Sequence, residues 1–321
     1  MNRKQDNPRE PVPSVPGQWS TGAPMLDVPP DRAGDWLSIK DPSIVHHGGA
    51  WHLFVTVRAR TRSHAIAYYR FDDFDQASTA APILLPAHPG YWCAPQVFYF
   101  RPHRQWYLVC QAKSPAFSPP YQAAFSTSPD IANPSGWSTL RSVDLTWRGK
   151  DPYLDFWVIC DASNAFLFFT CDNGEMWRSE TPLNAFPYGW SQPELAYRGA
   201  IFEASHIYAA PDGYFCLVEA QRQDDRRYFK ILHADHLRGN WHPAPGAGET
   251  YASPENVTQR SGHWTDSISH GELLREGIDE RLTARPDAPF LFQGVLHRER
   301  TGKPYGEIPW KLGLLEPAPS A

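Results

Sequence analysis

Long apolar runs are missing from this chain of 321 residues. No stretch approaches the ~18 apolar residues of a membrane-crossing helix, which argues against a membrane protein of the helical kind. Cysteine is scarce: five, an odd number, at positions 93, 110, 160, 171 and 216, with no Cys-x-x-Cys pair. Cys110, Cys160, Cys171 and Cys216 fall inside apolar runs, where a free thiol behaves as a small hydrophobe, so no disulfide framework is needed. A basic cluster is missing too. The net charge is −5, and the one dense group, Asp224-Asp225-Arg226-Arg227, largely cancels itself, which argues against nucleic acid as a partner. The first ten residues are charged with no apolar core behind them, so no signal peptide is read. The chain as written is expected in the cytoplasm, or outside the cell if a leader was trimmed, and is expected to act as a monomer.

Aromatic residues are abundant at 14%, within a hydrophobic share of 41%, which is ample for a packed core. Proline is frequent (32) and glycine ordinary (22), as suits short strands joined by turns. The length alone permits one large domain or two small ones. The most informative stretch runs from Asp151 to Arg178. Three short aromatic and β-branched runs, 151–160, 165–171 and 176–178, are separated by turn residues at 161–164 and 172–174, and no helix fits between them. This is an antiparallel meander. Asp155 opens its first and most apolar strand, where a charge is costly to bury unless it is paired or used.

The same plan recurs. Runs at 39–45, 51–57 and 65–69 form one unit, and 94–100, 106–110 and 123–126 the next; further units begin at 201 and 267. The lead runs carry Asp41, Pro95, Asp155, Glu203 and His270, spaced 54, 60, 48 and 67 residues apart. Repeats of about 40–50 residues, each a small meander, are the mark of a β-propeller, although a two-sheet sandwich could use the same strands. The expected architecture is all-β, a single five-bladed propeller over residues 36–316. Residues 1–35 form a proline-rich arm and 317–321 a short tail. Lead strands line the axis of a propeller, so Asp41, Asp155 and Glu203 should converge on one central funnel with His270. Three like charges in one funnel raise one another's pKa, which is hard to keep for stability alone and suits acid–base chemistry. Each also has a plainer reading: a turn residue for Asp41 and Asp155, an exposed strand edge for Glu203, a hydrogen-bonded structural histidine for His270.

An ordered set of motifs resembles glycoside hydrolase family 62, the α-L-arabinofuranosidases, in the clan shared with family 43. They are Ile39-Lys40-Asp41-Pro42, the run 94–100, Tyr153-Leu154-Asp155 with 166–174, Ile201-Phe202-Glu203, and the stretches 263–275, 290–294 and 308–315, together covering about residues 36–316. The resemblance implies Asp41 as general base, Glu203 as general acid and Asp155 as the acid that orients the site and tunes its neighbours. It implies Lys40 and Tyr305 as binders of the sugar, and a structural calcium ion on the axis near His270. The implied activity is inverting, exo-acting release of arabinofuranosyl groups from an arabinose-substituted polysaccharide or oligosaccharide such as arabinoxylan or arabinan. A family-43-like β-xylosidase, another furanosidase or a non-catalytic carbohydrate-binding propeller are the alternatives. The sequence departs from the family at Gly306, where asparagine is usual, at Asp266-Ser267, and at Ala112-Lys113 after Gln111, where an aromatic is expected; the family's N-terminal disulfide region is not present.

Overall fold

Runs of aromatic and β-branched residues bend back at turns, and each bend makes a hairpin. Between Trp36–His47 and Ala50–Ala59 the bend is Gly48-Gly49, with φ of 58° and 81°. Two consecutive positive φ values are what a tight two-residue hairpin requires, and glycine adopts them without steric cost. The computed structural model describes residues 15–149, 152–171, 173–244 and 250–318. Residues 1–14 of the expected arm, the end of the tail at 319–321, and Asp151 and Asp172 around the third meander lie outside the described residues.

The first described strand is β1 (Trp19–Thr21). Four sheets of four strands follow in chain order. The first holds β2 (Trp36–His47), β3 (Ala50–Ala59), β4 (His64–Phe71) and β5 (Ile83–Leu84), and the second β6 (Trp92–Phe100), β7 (Gln105–Lys113), β8 (Tyr121–Ser128) and β9 (Arg141–Ser142). The third holds β10 (Tyr153–Cys160), β11 (Asn164–Cys171), β12 (Glu175–Pro182) and β13 (Glu194–Arg198), and the fourth β14 (His206–Ala210), β15 (Gly213–Gln221), β16 (Arg227–Ala234) and β17 (His242–Pro243). The fifth sheet has the order β18-β1-β21-β20-β19, from β18 (Val257–Gln259), β19 (Ser269–Leu273), β20 (Phe290–Gly294) and β21 (Lys311–Pro317). First strands of neighbouring sheets touch: β2 with β6 and β19, β10 with β6 and β14. The fold is a five-bladed β-propeller with β2, β6, β10, β14 and β19 around the axis.

The blade cores lie between sheets. Val45, Phe54 and Tyr68 of the first pack on Val97, Trp106 and Leu108 of the second, while Ile39, Leu53 and Tyr69 meet Leu291 and Leu312 of the fifth. All five cysteines are buried. Trp19 is fully buried in β1, which pairs antiparallel with β21 and parallel with β18. The ordered fold therefore begins well before Trp36, the expected start. A three-residue strand between proline-rich segments carries too little pattern to be seen locally; its hydrogen bonds come from the other end of the chain.

Each inner strand is bulged near its start, and the bulge is repeated. Ladder pairing skips two residues after Lys40, Cys93 and Leu154, and in the fifth blade it skips His270 after Ser269. The first skipped residue is left-handed: Asp41 (φ 50°), Ala94 (φ 50°) and Asp155 (φ 55°), with Ala204 (φ 55°) at the matching point of the fourth blade. A bulge re-aims side chains and breaks the ladder, so the prolines that follow at 42 and 95 forfeit no hydrogen bond. The repeat thus aligns Ala94 and Ala204 with Asp41 and Asp155, one residue away from the expected Pro95 and Glu203. Glu203 occupies the position of Lys40, just before the bulge, with Glu219 opposite it through backbone bonds of 2.7 Å (Phe202 N–H to Glu219 O) and 2.9 Å (Glu219 N–H to Glu203 O).

That opposite position forms a ring of links between blades. Thr56 Oγ1 accepts from the Ala94 N–H (2.8 Å), Gln111 Oε1 from Asp155 (3.1 Å), Glu219 Oε2 from His270 (2.7 Å) and Gln293 Oε1 from Asp41 (2.8 Å). In the third blade Asp155 itself takes the role, accepting from the Ala204 N–H at 3.0 Å, and Thr170 Oγ1 is left without a hydrogen bond. At the far end of the axis, residues 278–282 cross the ends of three inner strands, accepting from Tyr99 (2.7 Å), Cys160 (2.9 Å) and Ala209 (3.2 Å) N–H groups.

Candidate active site

The bulges lift Asp41 and Asp155 out of their sheets at one end of the axis. A cavity of about 360 Å³ opens there, lined by Lys40, Asp41, Asp155, Glu203, His270 and Tyr305 together with His64, Tyr91, Gln111, Tyr121, Phe202 and Arg227, among others. All six residues singled out in the sequence are brought together. Left-handed backbone is uncommon for a residue with a side chain, and aspartate tolerates it better than most. Such strain clusters where a side chain must point in one direction.

The carboxylates sit in different electrostatic settings. Asp41 is buried; its Oδ2 lies 3.3 Å from Lys40 Nζ and its Oδ1 3.7 Å from His270 Nδ1. Burial raises its pKa, but Lys40, His270 and a bond from Thr56 outweigh burial and hold it below the usual carboxylate value. Asp155 Oδ2 also lies 3.7 Å from His270 Nδ1. Burial first, then the negative charges of Glu203, Asp41 and Glu219, raise Asp155 well above its ordinary value. Glu203 is raised to about 8 by burial and by Glu219, with Arg227 and Lys40 pulling the other way. Burial lowers His270, while Asp41 and Glu219 oppose the shift. Lys40 carries its ammonium 4.9 Å from the ring centre of Tyr305, which stands half exposed at the rim. His64 is held down to about 4 by burial and the Lys40 charge, so it faces the cavity as a neutral ring.

Two residues essential to this arrangement were missed in the sequence, and only Arg227 was illegible locally. Arg227 belongs to the self-cancelling group 224–227, yet it is 3% exposed and its Nη1 bonds both Glu203 Oε1 (3.1 Å) and Glu219 Oε1. Its guanidinium also lies 3.8 Å from the centre of the Phe202 ring. Glu219 is fully buried at the end of an apolar strand. A carboxylate ending such a run is the same signal that marked Asp155, and it could have been read. Of the departures, Gly306 lies against Arg58: a Cβ there would come within 3.1 Å of Arg58 Nε, so a side chain would require Arg58 to give way. Ala112 is buried in β7 opposite Trp92, inside the blade core. Asp266 binds His263 Nε2 (2.7 Å) and the His297 N–H (2.7 Å), outside the cavity lining.

As for a metal, no group of three or more histidine, cysteine or acidic residues is arranged to hold an ion among the described residues. Calcium favours six to eight oxygen ligands. Both carboxylates next to His270 are already engaged, Asp41 with Lys40 and Asp155 with Ala204, so these side chains do not form a calcium cage.

A propeller whose axial funnel gathers carboxylates with pKa values pushed apart, flanked by lysine and arginine, has the fold and site of a glycoside hydrolase. The chain belongs to glycosyl hydrolase family 62, whose model matches residues 19–316. It is 37% identical over 313 residues to α-L-arabinofuranosidase C of Cellvibrio japonicus, covering 94% of this chain but 47% of that protein, so the chain spans about half the length of this curated relative. The catalytic domain of a Coprinopsis cinerea family-62 α-L-arabinofuranosidase superposes with a TM-score of 0.83 at 36% identity, covering 95% of this chain and 98% of that one. A Podospora anserina α-L-arabinofuranosidase solved with cellotriose gives 0.84 at 37% identity, covering 95% and 97%. A family-43 endo-arabinanase from Bacillus licheniformis shares the fold at 16% identity, with a TM-score of 0.56 over 87% of this chain and 93% of that one.

Proposed function

We propose that the chain is an inverting, exo-acting α-L-arabinofuranosidase that removes arabinofuranosyl groups from an arabinose-substituted polysaccharide or oligosaccharide. The observation that carries this is the opposed tuning of Asp41 and Glu203 in one axial funnel of a family-62 propeller. Asp41, held ionised by Lys40, takes a proton from a water as that oxygen attacks the anomeric carbon. Glu203, with its pKa raised, gives its proton to the glycosidic oxygen as the carbon–oxygen bond breaks, and the neutral alcohol departs. Water enters on the face opposite the leaving group, so the configuration inverts. Asp155 orients the site by accepting the Ala204 N–H next to Glu203. Lys40 and Tyr305 hold the sugar ring at the mouth. The funnel is lined by one chain and a monomer suffices. Incubation with arabinoxylan and with a nitrophenyl arabinofuranoside, followed by proton NMR, should show free arabinose appearing first as the β-anomer. An α-anomer as first product removes the inverting step, and tight sugar binding without release favours a binding propeller.

We also propose a purely structural axial calcium ion. Because Asp41 and Asp155 are engaged, an ion on the axis near His270 would have to take its oxygen ligands from water, and no chemical step uses it. Chelator should then lower the melting temperature more than it lowers activity at low temperature. An unchanged melting temperature removes the ion from the account.

A further inference from the structure

We propose that Glu219 is a positioning residue that keeps the proton on Glu203 by taking the larger share of the one cation between them. The inference rests on the reading of Glu203 as proton donor and adds the device that makes it one. Arg227 Nη1 serves two carboxylates, Glu203 and Glu219, and a single positive charge balances only one of them. Their claims are unequal. Glu219 accepts from Arg227, from Ser269 Oγ (2.9 Å) and from the His270 N–H (2.7 Å), whereas among the described residues Arg227 is the one donor to Glu203. Arg227 is therefore shared unequally: Glu219 holds it within a set of three donors, and Glu203 meets it alone at 3.1 Å.

The blade repeat provides an independent argument. Glu219 occupies the ring position held in the other blades by Thr56, Gln111, Thr170 and Gln293, all neutral. Gln111 and Gln293 make the same link to the next blade's backbone that Glu219 makes. The link therefore needs an acceptor and no charge. The charge in the fourth blade has its use toward Arg227 and Glu203. The chain of bonds also runs on, from Glu219 to Ser269 Oγ, to Gln293 Nε2 (3.1 Å), and from Gln293 Oε1 to the Asp41 N–H, so acid and base share one scaffold. The groups facing Glu203 are Arg227 and Glu219 from β16 and β15, Lys40 and Asp41 from β2, Asp155 from β10 and Tyr305 at the rim. Glu219 additionally feels His270 and Arg300.

Glu219→Gln tests this, because glutamine already serves the link in two blades and the fold should survive. Carbon-13 NMR of labelled glutamate carboxyls, with Glu203 assigned by its loss in Glu203→Gln, reads the proton directly. In Glu219→Gln the Glu203 midpoint should fall by at least about one unit, since Arg227 is then free to pair with it alone. The alkaline limb of the arabinoxylan pH–rate profile should fall with it, losing about tenfold in rate per unit above the limb. Glu219→Asp, which keeps the charge, should hold the midpoint near the wild-type value. The double variant Glu219→Gln, Arg227→Gln removes both charges and should return the midpoint to the wild-type value or above. This variant also decides the matter if the single one fails to fold: a low midpoint there overturns the proposal. An unmoved midpoint in folded Glu219→Gln overturns it as well. Because NMR does not depend on turnover, a midpoint that moves in a protein releasing no arabinose keeps the role of Glu219 and rejects the arabinofuranosidase reading.

Discussion

At the scale of single residues, the two proposed proton carriers differ in what their loss should do. As the proposed acid, Glu203 would protonate the departing oxygen, so Glu203→Ala should abolish release from polysaccharide, whose alcohol is a poor leaving group. A nitrophenolate departs without help, so the nitrophenyl arabinofuranoside should still be cleaved. General acid catalysis contributes about 10²–10⁴-fold, and the gap between the two substrates should fall in that range. As the proposed base, Asp41 would activate the water in either reaction, so Asp41→Ala should fail on both by a similar factor. Steady-state rates on the two substrates check this; equal losses for Glu203→Ala reject its role as acid. Asp41, Asp155 and Glu203 were legible because each is a charge set in or beside an apolar strand opening. Arg227 was not, since its neighbours in sequence cancel its charge while its neighbours in space, Glu203 and Glu219, lie 24 and 8 residues away.

At the scale of elements, the inner three strands of each blade announce themselves, because half- or fully buried strands carry aromatic and β-branched residues. The outer strands do not. Ile83–Leu84, Arg141–Ser142 and His242–Pro243 are two residues each and largely exposed, so nothing in their composition is selected by burial. The fourth inner strand was expected from Ile201, but regular pairing begins at His206, because the bulge at Ala204 interrupts the ladder. An off-by-one alignment on Pro95 and Glu203 followed from the same cause: a bulge shifts which face a residue presents, and composition does not report it. β1 joins the two ends of the described chain, and Trp19 anchors it, fully buried with its Nε1–H bonded to Tyr251 O at 3.0 Å. Truncating a buried tryptophan costs roughly 3–5 kcal/mol. Trp19→Ala should therefore lower the denaturation midpoint sharply. Its turnover at low temperature should stay near the wild-type value, because β1 lies at the outer side of the fifth blade. A loss of turnover without a loss of stability would place β1 in contact with the site.

At the scale of the whole molecule, the funnel trades stability for chemistry, and the sign of the trade depends on pH. Glu203 ordinarily titrates near 4.5 and in the fold near 8, so between those values the folded state binds more protons than the unfolded one. Stability rises with pH where the unfolded state binds more protons, and here the reverse holds. The Glu203 contribution is fully present below about 4.5 and is lost as pH rises toward 8. Asp155, raised in the same direction, adds to the loss. Asp41 is depressed, so its contribution is present above its ordinary 3.8 and disappears only as pH falls through its lower folded value. Lys40 is raised above 10.5, and its contribution persists below that and is lost in strong alkali. From about pH 5 to pH 8 the Glu203 loss dominates among the carboxyls, opposed at its acid end by His64, which sits at about 4 in the fold against an ordinary 6.5, and by His206 and His270, lowered in the same direction. Glu203→Gln removes the Glu203 titration without changing shape. Chemical denaturation of wild type and variant at pH 5 and pH 8 should show the variant gaining relative to wild type as pH rises. Its absolute stability is a poorer guide, because glutamine also gives up the ion pair with Arg227. A stability difference equal at both pH values would mean that Glu203 titrates in the fold as it does in the open chain.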